Sequence, residues 1–123
     1  MNYKVLIADD NPLICKSLRE TIHWEKYQCT VEQCAENGKE AWNLITQLKP
    51  EIVITDIKMP EMDGLELTEK IKKWYPGTLI IMITGYQEFE YAKRAISLGV
   101  KELVLKPIDN KKMEEALQKV TDS

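Results

Sequence analysis

Short apolar segments alternate along this chain with longer segments in which apolar residues recur every three or four positions. The short segments are rich in β-branched residues and predict strands at 3–8, 30–35, 51–55, 78–83 and 101–105. The longer segments have the spacing of amphipathic helices. Strands that alternate with helices predict a parallel sheet with right-handed crossovers and helices on both faces. The expected fold class is therefore α/β, as a single doubly wound (βα)5 domain.

Capping residues set several bounds of the predicted helices. The first helix is expected from Pro12 to about His23, and the fourth over 87–98. Either Asp109 or Asn110 would cap the last helix. The residues predicted to face inward on the five helices are Ile14, Leu18 and Ile22, then Ala41, Leu44, Ile45 and Leu48, then Leu67, Ile71 and Trp74, then Ala92, Ala95 and Ile96, and last Met113, Leu117 and Val120.

The composition is that of one soluble globular domain. A chain of 123 residues with 44% hydrophobic and 30% charged residues can enclose one core, and it has neither the bias of a disordered chain nor that of a membrane protein. The net charge of −3 argues against direct nucleic-acid binding, because neutralising phosphates supplies most of that affinity. No signal-peptide or membrane-spanning pattern is present, so we expect a cytoplasmic protein without membrane contact.

The cysteines and the one histidine carry no recognisable motif. Cys15, Cys29 and Cys34 are odd in number and form no C-x-x-C pair, so we expect buried apolar thiols rather than a disulfide framework or a zinc site. His23 has no second histidine nearby, which makes a metal site there improbable.

Polar residues follow four of the predicted strands at the point where each strand ends. These residues are Asp9 and Asp10 after the first strand, Asp56 after the third, Thr84 after the fourth and Lys106 after the fifth. Each has an ordinary interpretation by itself, as a loop cap, a β-branched strand end or a solvated lysine. Parallel strands direct their carboxyl ends to one edge, however, and ligands bind in the crevice at that edge. We therefore expect these side chains to share one crevice.

Three carboxylates in one crevice would repel one another unless a cation lay between them. Mg²⁺ suits such a cluster, because it binds one or two carboxylates and leaves its other positions to water and phosphate oxygens. Asp56 is ionised at neutral pH and could attack phosphorus without a general base, which would give an acyl phosphate. Lys106 would supply positive charge, and the hydroxyl of Thr84 would donate a hydrogen bond to the phosphoryl oxygens.

Together these residues resemble the receiver domain of two-component response regulators, and the resemblance covers essentially the whole chain. The family's motifs are an acidic pair, a phosphoacceptor Asp followed by a Met-Pro-x-Met-Asp-Gly loop, a Thr or Ser, and Lys-Pro. The corresponding residues here are Asp9-Asp10, Asp56 with Met59-Pro60-Glu61-Met62-Asp63-Gly64, Thr84 and Lys106-Pro107. The resemblance implies a flavodoxin-like sheet of strand order 2-1-3-4-5.

The resemblance also implies a role for each site residue. Asp10 and Asp56 would bind Mg²⁺ through their side chains and Lys58 through its backbone carbonyl, while Asp9 would assist mainly through water. Asp56 would accept a phosphoryl group from a phosphohistidine of a sensor histidine kinase or from a small acyl phosphate. The chain would then be a self-phosphorylating switch and not a turnover enzyme.

One position departs from the family pattern. The family usually has an aromatic residue three positions before the lysine, and it swings inward on phosphorylation; this chain has Leu103 there. Either another group such as Tyr86 provides the coupling, or activation reorganises the fourth helix differently.

The sequence from 83 to 92 is similar to that of receivers joined to AraC-type helix-turn-helix domains. We therefore expect residues 1–123 to be the N-terminal receiver domain of a longer transcription regulator with a DNA-binding output domain. The face formed by the fourth helix, fifth strand and fifth helix would report phosphorylation. A homodimer through the fourth and fifth helices is a hypothesis motivated by the mixed charges Lys93, Arg94, Lys101, Glu114 and Glu115.

Two other function classes fit the sequence less well. An aspartyl-phosphate phosphatase or phosphotransferase commonly needs an acid two residues past the nucleophile, where this chain has Lys58. A flavodoxin-like cofactor-binding module would need a phosphate-binding loop at 8–11, and that segment is negatively charged instead.

Overall fold

The computed structural model describes residues 2–122, apart from the side chain of Tyr86. Its sheet has five parallel strands in the order β2-β1-β3-β4-β5, so the predicted α/β class and strand order are confirmed. The strands are β1 (Tyr3–Ala8), β2 (Cys29–Ala35), β3 (Ile52–Asp56), β4 (Leu79–Thr84) and β5 (Glu102–Leu105).

Five α-helices connect or follow the strands: α1 (Pro12–Thr21), α2 (Gly38–Leu48), α3 (Gly64–Trp74), α4 (Phe89–Ser97) and α5 (Asn110–Thr121). Asp109 is the cap of α5, since its side chain accepts the Lys111 N–H at 2.9 Å. Short 3-10 helices lie at Trp24–Tyr27 and Tyr86–Glu88. No helix within residues 2–122 is both long enough and apolar enough to cross a membrane.

Two helices are shorter than predicted. Helix α1 ends at Thr21 instead of His23, because the chain turns there to bury Trp24, whose indole N–H donates to the Leu18 carbonyl at 3.0 Å. Helix α4 begins at Phe89 instead of residue 87, because the 3-10 helix takes up the residues before it.

The core lies in two layers, one on each face of the sheet. Successive residues of β1 contribute to opposite layers: Val5 and Ile7 pack with residues of α1 and α5, and Leu6 and Ala8 pack with residues of α2 and α3. This alternation follows from the two-residue period of a strand. The middle strands β1 and β3 are therefore covered on both faces, and every residue of β3 is buried.

The inward faces predicted for α3 and α4 are partly wrong. Trp74 and Ile96 are each 61% exposed. Trp74 is the last residue of its helix, and its indole lies under the Lys73 ammonium at 5.7 Å instead of in the core. Helix α4 presents a narrow apolar stripe, and Ala95 is its one buried residue among those described.

The cysteines also differ from expectation. Cys15 of α1 and Cys34 of β2 form a disulfide, with Cα atoms 6.3 Å apart, so the prediction of free thiols is wrong for this pair. No spacing pattern indicates the bond, because the pairing depends on how α1 packs beside β2. Cys29 is free and buried, as predicted, and burial raises the pKa of its thiol to about 11.

Candidate functional site

The carboxyl ends of β1 and β3 bring three carboxylates together. Asp9 directly follows β1, and Asp56 is the last residue of β3, the neighbouring strand in the middle of the sheet. Asp9 and Asp56 are 1% and 3% exposed, whereas Asp10 faces solvent. One oxygen from each of the three carboxylates lies within 4.8 Å of the others. This is the cluster that the sequence predicts.

Two oxygens of this cluster have no hydrogen-bond partner within the described part of the chain. Asp9 Oδ1 accepts the Asn11 N–H at 2.8 Å, and Asp56 Oδ2 accepts from Lys106 Nζ at 3.1 Å. The other oxygen of each carboxylate, Asp9 Oδ2 and Asp56 Oδ1, is buried and receives no donor from the described residues. Burying a polar atom without a partner is costly, so the two bare oxygens form a site that favours a cation.

The electrostatics of the carboxylates agree with that interpretation. Burial, more than any other factor, raises the pKa of Asp9 to about 6, and the negative charges of Asp56 and Asp10 add to the rise. Burial also raises the pKa of Asp56, although its contact with Lys106 opposes the change. A hard divalent cation would relieve this cost, and oxygen ligands at an edge open to water suit Mg²⁺. The residues present therefore fit the ion, with Asp9, Asp10 and Asp56 as its candidate ligands.

Lys106 follows β5 and reaches across to the middle of the sheet. Its backbone N–H donates to the Thr84 carbonyl at 2.8 Å, which holds the chain beside β4, and the Lys106–Pro107 peptide bond is cis. Burial by itself lowers the pKa of this ammonium, but the hydrogen bond to Asp56 and the nearby carboxylates outweigh it, and the pKa is raised. Lys106 is therefore a cation over the physiological range.

Thr84 is the last residue of β4 and is buried. Its position follows from the register, in which Asp56 pairs with Ile83, so Thr84 stands one residue beyond Asp56 on the neighbouring strand. Its hydroxyl donates only a long hydrogen bond, 3.4 Å, to the Gly85 carbonyl. A weakly held hydroxyl of this kind can turn to another acceptor.

The loop after Asp56 is fixed by the start of α3. Asp63 caps the helix, and Asp63 and Glu66 form a reciprocal capping box. The Gly64 N–H donates to the Ile57 carbonyl at 2.9 Å, and a Cβ on Gly64 would overlap the backbone carbonyl of Asp56. Glycine is favoured at position 64 because α3 begins in contact with the backbone of Asp56 and leaves no room for a side chain.

Lys58 lies in this loop with its side chain exposed. Its ammonium is 4.9 Å from the centre of the Tyr91 ring on α4, a cation–π contact that links the loop to that helix. Sequence reasoning missed this contact because nothing in the spacing of residues 58 and 91 indicates it. A metal-binding role for the Lys58 carbonyl stays a prediction.

A second group that sequence reasoning missed is Glu88, whose carboxylate accepts the Gly85 N–H at 2.6 Å. The three-residue separation of Gly85 and Glu88 at the start of a helical pattern is a signal that could have found it. One of the two alternatives for coupling the site to α4 involves Tyr86, whose side chain lies outside the described residues. Leu103 is half-buried and packs against the cluster that contains Ala95 of α4.

The sequence and the fold match known proteins. A family model described as "Response regulator receiver domain" matches residues 5–118. The transcriptional regulatory protein YesN of Bacillus subtilis is 42% identical over 118 residues, which are 96% of this chain and 32% of that protein. The transcriptional regulatory protein HptR of Staphylococcus aureus is 37% identical over 115 residues, 94% of this chain and 45% of that protein. The chain thus spans from about a third to somewhat less than half of the length of these relatives.

Solved structures agree with this match. The receiver domain of AraT, a response regulator from Geobacillus stearothermophilus, has a TM-score of 0.94 and 40% identity, with 99% of this chain and 95% of that chain covered. A response regulator receiver domain protein from Clostridium thermocellum has a TM-score of 0.87 and 26% identity, with 98% of this chain and 94% of that chain covered.

Proposed function

This chain belongs to the response regulator receiver domain family, and we propose that it accepts a phosphoryl group on Asp56 with the help of Mg²⁺ and thereby switches an output domain. Receiver domains are signalling proteins of two-component systems and not turnover enzymes. The observation that carries the proposal is the bare, buried Oδ1 of Asp56, which lies in a carboxylate cluster while Oδ2 of the same group contacts the Lys106 ammonium.

The proposed reaction needs no general base. A carboxylate oxygen of Asp56 attacks phosphorus, and a P–O bond forms as the bond to the donor breaks. The leaving electron pair goes to the imidazole nitrogen of a phosphohistidine or to the carboxylate of a small acyl phosphate. Mg²⁺ bound by Asp9, Asp10 and Asp56 would neutralise charge on the transferred group. Lys106 would hold one phosphoryl oxygen by an ion pair, and the Thr84 hydroxyl would turn to donate to another.

The new bonds to a phosphoryl group would have an energy of the size that a switch needs. Moving a population from 1:99 to 99:1 needs roughly 5.5 kcal/mol of preference for one state. A hydrogen bond to a charged group contributes about 1.5 to 3 kcal/mol, so two or three new bonds from Lys106 and Thr84 could supply that preference.

The direct test is phosphoryl incorporation from acetyl phosphate in Mg²⁺, measured by intact-protein mass spectrometry. We expect wild type to gain one phosphoryl group and Asp56→Asn to gain none while keeping the circular dichroism spectrum of the fold. Asp122→Asn is the matched control, because Asp122 is exposed at the end of α5, and it should be labelled like wild type. Labelling of Asp56→Asn at the wild-type rate would end the proposal.

The partners follow from the same proposal. The phosphoryl donor would be a sensor histidine kinase, and residues 1–123 would be the N-terminal part of a cytoplasmic regulator whose output domain, not this domain, binds DNA. The names of the relatives as transcriptional regulatory proteins support this output class.

A phosphorylation-dependent homodimer stays a hypothesis. Two of the charged residues that motivated it already have partners within the chain. Arg94 contacts Glu69 at 3.3 Å, and Glu114 accepts a hydrogen bond from the Tyr27 hydroxyl at 2.8 Å. The other charged residues, together with exposed Ile96 and Leu105, would have to form the contact. Analytical ultracentrifugation with the phosphoryl mimic beryllofluoride tests it, and a monomer under those conditions would contradict it.

A further inference from the structure

Two cysteines lie beside the acidic site and take part in no step of the proposed phosphorylation. Cys15 is in the first turn of α1, Cys34 is near the end of β2, and their Cα atoms are 6.3 Å apart, a usual separation for a disulfide. Both line a surface pocket of about 490 Å³ that Asp9 also lines. Cys34 is half-buried and Cys15 is buried, so a small solute in the pocket would reach Cys34 first.

The bridge joins the two segments that hold Asp9 in place. On the β2 side, Ala35 directly follows Cys34, and its carbonyl accepts the Asp9 N–H at 2.9 Å. On the α1 side, Asn11 caps the helix by accepting the Leu13 N–H at 3.0 Å, and its own N–H donates to Asp9 Oδ1 at 2.8 Å. A covalent bond between α1 and β2 therefore restrains both supports of a candidate Mg²⁺ ligand.

The fold does not depend on this bridge. Helix α1 also packs through Leu18 and Ile22 into the core layer that contains Val5, and a domain of 123 residues is large enough to be stable without a covalent link. A permanent disulfide would also be unusual in the cytosol, where thiols are kept reduced and the disulfides that do form are usually transient. A bridge that the fold does not need, and that borders an open pocket, is suited to opening and closing.

We propose that Cys15 and Cys34 form a redox modification site, which a hydroperoxide oxidises and a small thiol such as glutathione reduces, and that the disulfide form binds Mg²⁺ more tightly. Opening the bridge leaves an exposed hydrogen bond, from Arg19 to the Val31 carbonyl at 3.2 Å, as the polar contact between α1 and β2 among the described residues. The loop that carries Asp9 then samples more conformations, and ordering it again reduces the Mg²⁺ affinity. This inference rests on the proposed function of the chain as a cytoplasmic, Mg²⁺-dependent receiver.

Oxidation removes two electrons from the cysteine pair. The Cys34 thiolate attacks one oxygen of the hydroperoxide, an S–O bond forms, the O–O bond breaks, and the other oxygen leaves as water or an alcohol. The Cys15 thiolate then attacks the sulfur of this sulfenic acid, the S–S bond forms, and hydroxide leaves as water. Each cysteine gives up one proton, and the two leaving oxygens take these protons up.

Reduction reverses the change by thiol–disulfide exchange. The thiolate of glutathione attacks the Cys34 sulfur, and Cys15 leaves as a thiolate, which the N-terminus of α1 stabilises. A second glutathione thiolate attacks the mixed disulfide, so glutathione is oxidised to its own disulfide and both cysteines become thiols again.

The first test counts thiols in the 123-residue chain. Alkylation in denaturant, followed by intact-protein mass spectrometry, gives three labels for the reduced chain and one, at Cys29, for the bridged chain. We expect three labels in a glutathione buffer as reducing as the cytosol, and one label after treatment with hydrogen peroxide. A bridge that stays closed in the reducing buffer is structural and overturns the proposal, as does a reduced pair that peroxide does not close.

The second test measures Mg²⁺ affinity by isothermal titration calorimetry of the reduced and the bridged chain. We expect the Kd to be roughly fivefold lower for the bridged chain, the low end of coupling between two sites. Linkage requires the reverse effect: saturating Mg²⁺ should shift the glutathione equilibrium of the pair by about fivefold toward the disulfide. This second measurement reads the cysteines directly and does not depend on phosphorylation.

Cysteine variants assign the effect to the pair. Cys15→Ala and Cys34→Ala should bind Mg²⁺ like reduced wild type under both conditions, whereas Cys29→Ala, outside the pair, should keep the redox dependence. A redox dependence that persists in Cys15→Ala and Cys34→Ala overturns the inference. Equal Kd values for reduced and bridged wild type also overturn it, and leave the proposed function intact. If neither form binds Mg²⁺, the proposed function fails together with the inference, so the two failures can be told apart.

Discussion

The ammonium of Lys106 lies 3.1 Å from the carboxylate of Asp56, although 50 residues separate them in sequence. The contact joins the residue after the outer strand β5 to the end of the buried strand β3. The side chain of Asp56 is 4% exposed and that of Lys106 is 38% exposed, so solvent reaches the pair from the lysine side. A phosphoryl group on Asp56 would therefore lie next to this cation.

Removing this cation should separate phosphorylation from metal binding. We expect Lys106→Ala to slow labelling by acetyl phosphate by about a hundredfold, the usual cost of losing one group that stabilises developing negative charge. Mg²⁺ affinity, measured by isothermal titration calorimetry, should not fall, since the lost group is a positive neighbour of the ion. Lys101→Ala, at an exposed lysine, is the control. Parallel losses of labelling and of Mg²⁺ affinity would contradict this division of roles.

The stability of the metal-free domain should fall as pH rises through the titration of Asp9. Its carboxyl has a pKa of about 6 when folded and an ordinary value of 3.8, so the folded state holds the proton more tightly. This contribution is fully present below about pH 4 and is lost as pH rises through about 6, a change of up to roughly 3 kcal/mol. Thermal melts of wild type and Asp9→Asn at several pH values isolate this contribution. As pH rises over that range, the Tm of Asp9→Asn should increase relative to the Tm of wild type.

Magnesium should reverse the effect. An ion that binds only the folded state adds about 2.7 kcal/mol at a concentration of about 100 times its Kd. The increase in Tm with Mg²⁺ should be large at pH 8 and small at pH 5, where protons compete for the carboxylates. An equal increase at both pH values would show that the ion binds elsewhere.

The contact of Gly64 with the backbone of Asp56 predicts a matched pair of variants. Gly64→Ala places a methyl group against the Asp56 carbonyl and should reduce the free energy of unfolding by about 1 to 3 kcal/mol. At Gly77 a Cβ meets no heavy atom of the described residues within 4 Å, so Gly77→Ala should stay within about 0.5 kcal/mol of wild type. Urea unfolding gives both values. Equal effects would mean that this close approach does not constrain the site.

The contact between Lys58 and Tyr91 predicts a coupling free energy between the loop and α4. A double-mutant cycle of Lys58→Met with Tyr91→Leu should give about 0.5 to 1 kcal/mol in urea unfolding. The same cycle with Tyr91→Phe should give almost none, because a phenyl ring keeps the cation–π contact and Lys58 loses little from that change. Coupling of similar size in both cycles would point to the tyrosine hydroxyl instead of the ring.

The fold and the strand-end cluster could be predicted because both depend on local patterns and one rule of topology. Apolar runs located the strands, and parallel strands necessarily bring Asp9, Asp56 and Thr84 to one edge. Contacts that depend on how the helices pack on the sheet could not be predicted from these patterns. The Cys15–Cys34 pair, the exposure of Trp74 and the Lys58–Tyr91 contact all follow from helix placement, which no spacing in one sequence reports.

The helices also differ in how firmly the core holds them. Helix α3 buries five residues, Gly64, Leu65, Leu67, Thr68 and Ile71, whereas α4 buries Ala95 among the residues described. Displacing α3 would expose much apolar surface, while α4 could shift or partly unwind with little hydrophobic loss. If Asp56 is phosphorylated as proposed, adding or removing that one small anion could therefore move α4 and leave the rest of the scaffold in place, so the domain could be reset and used repeatedly.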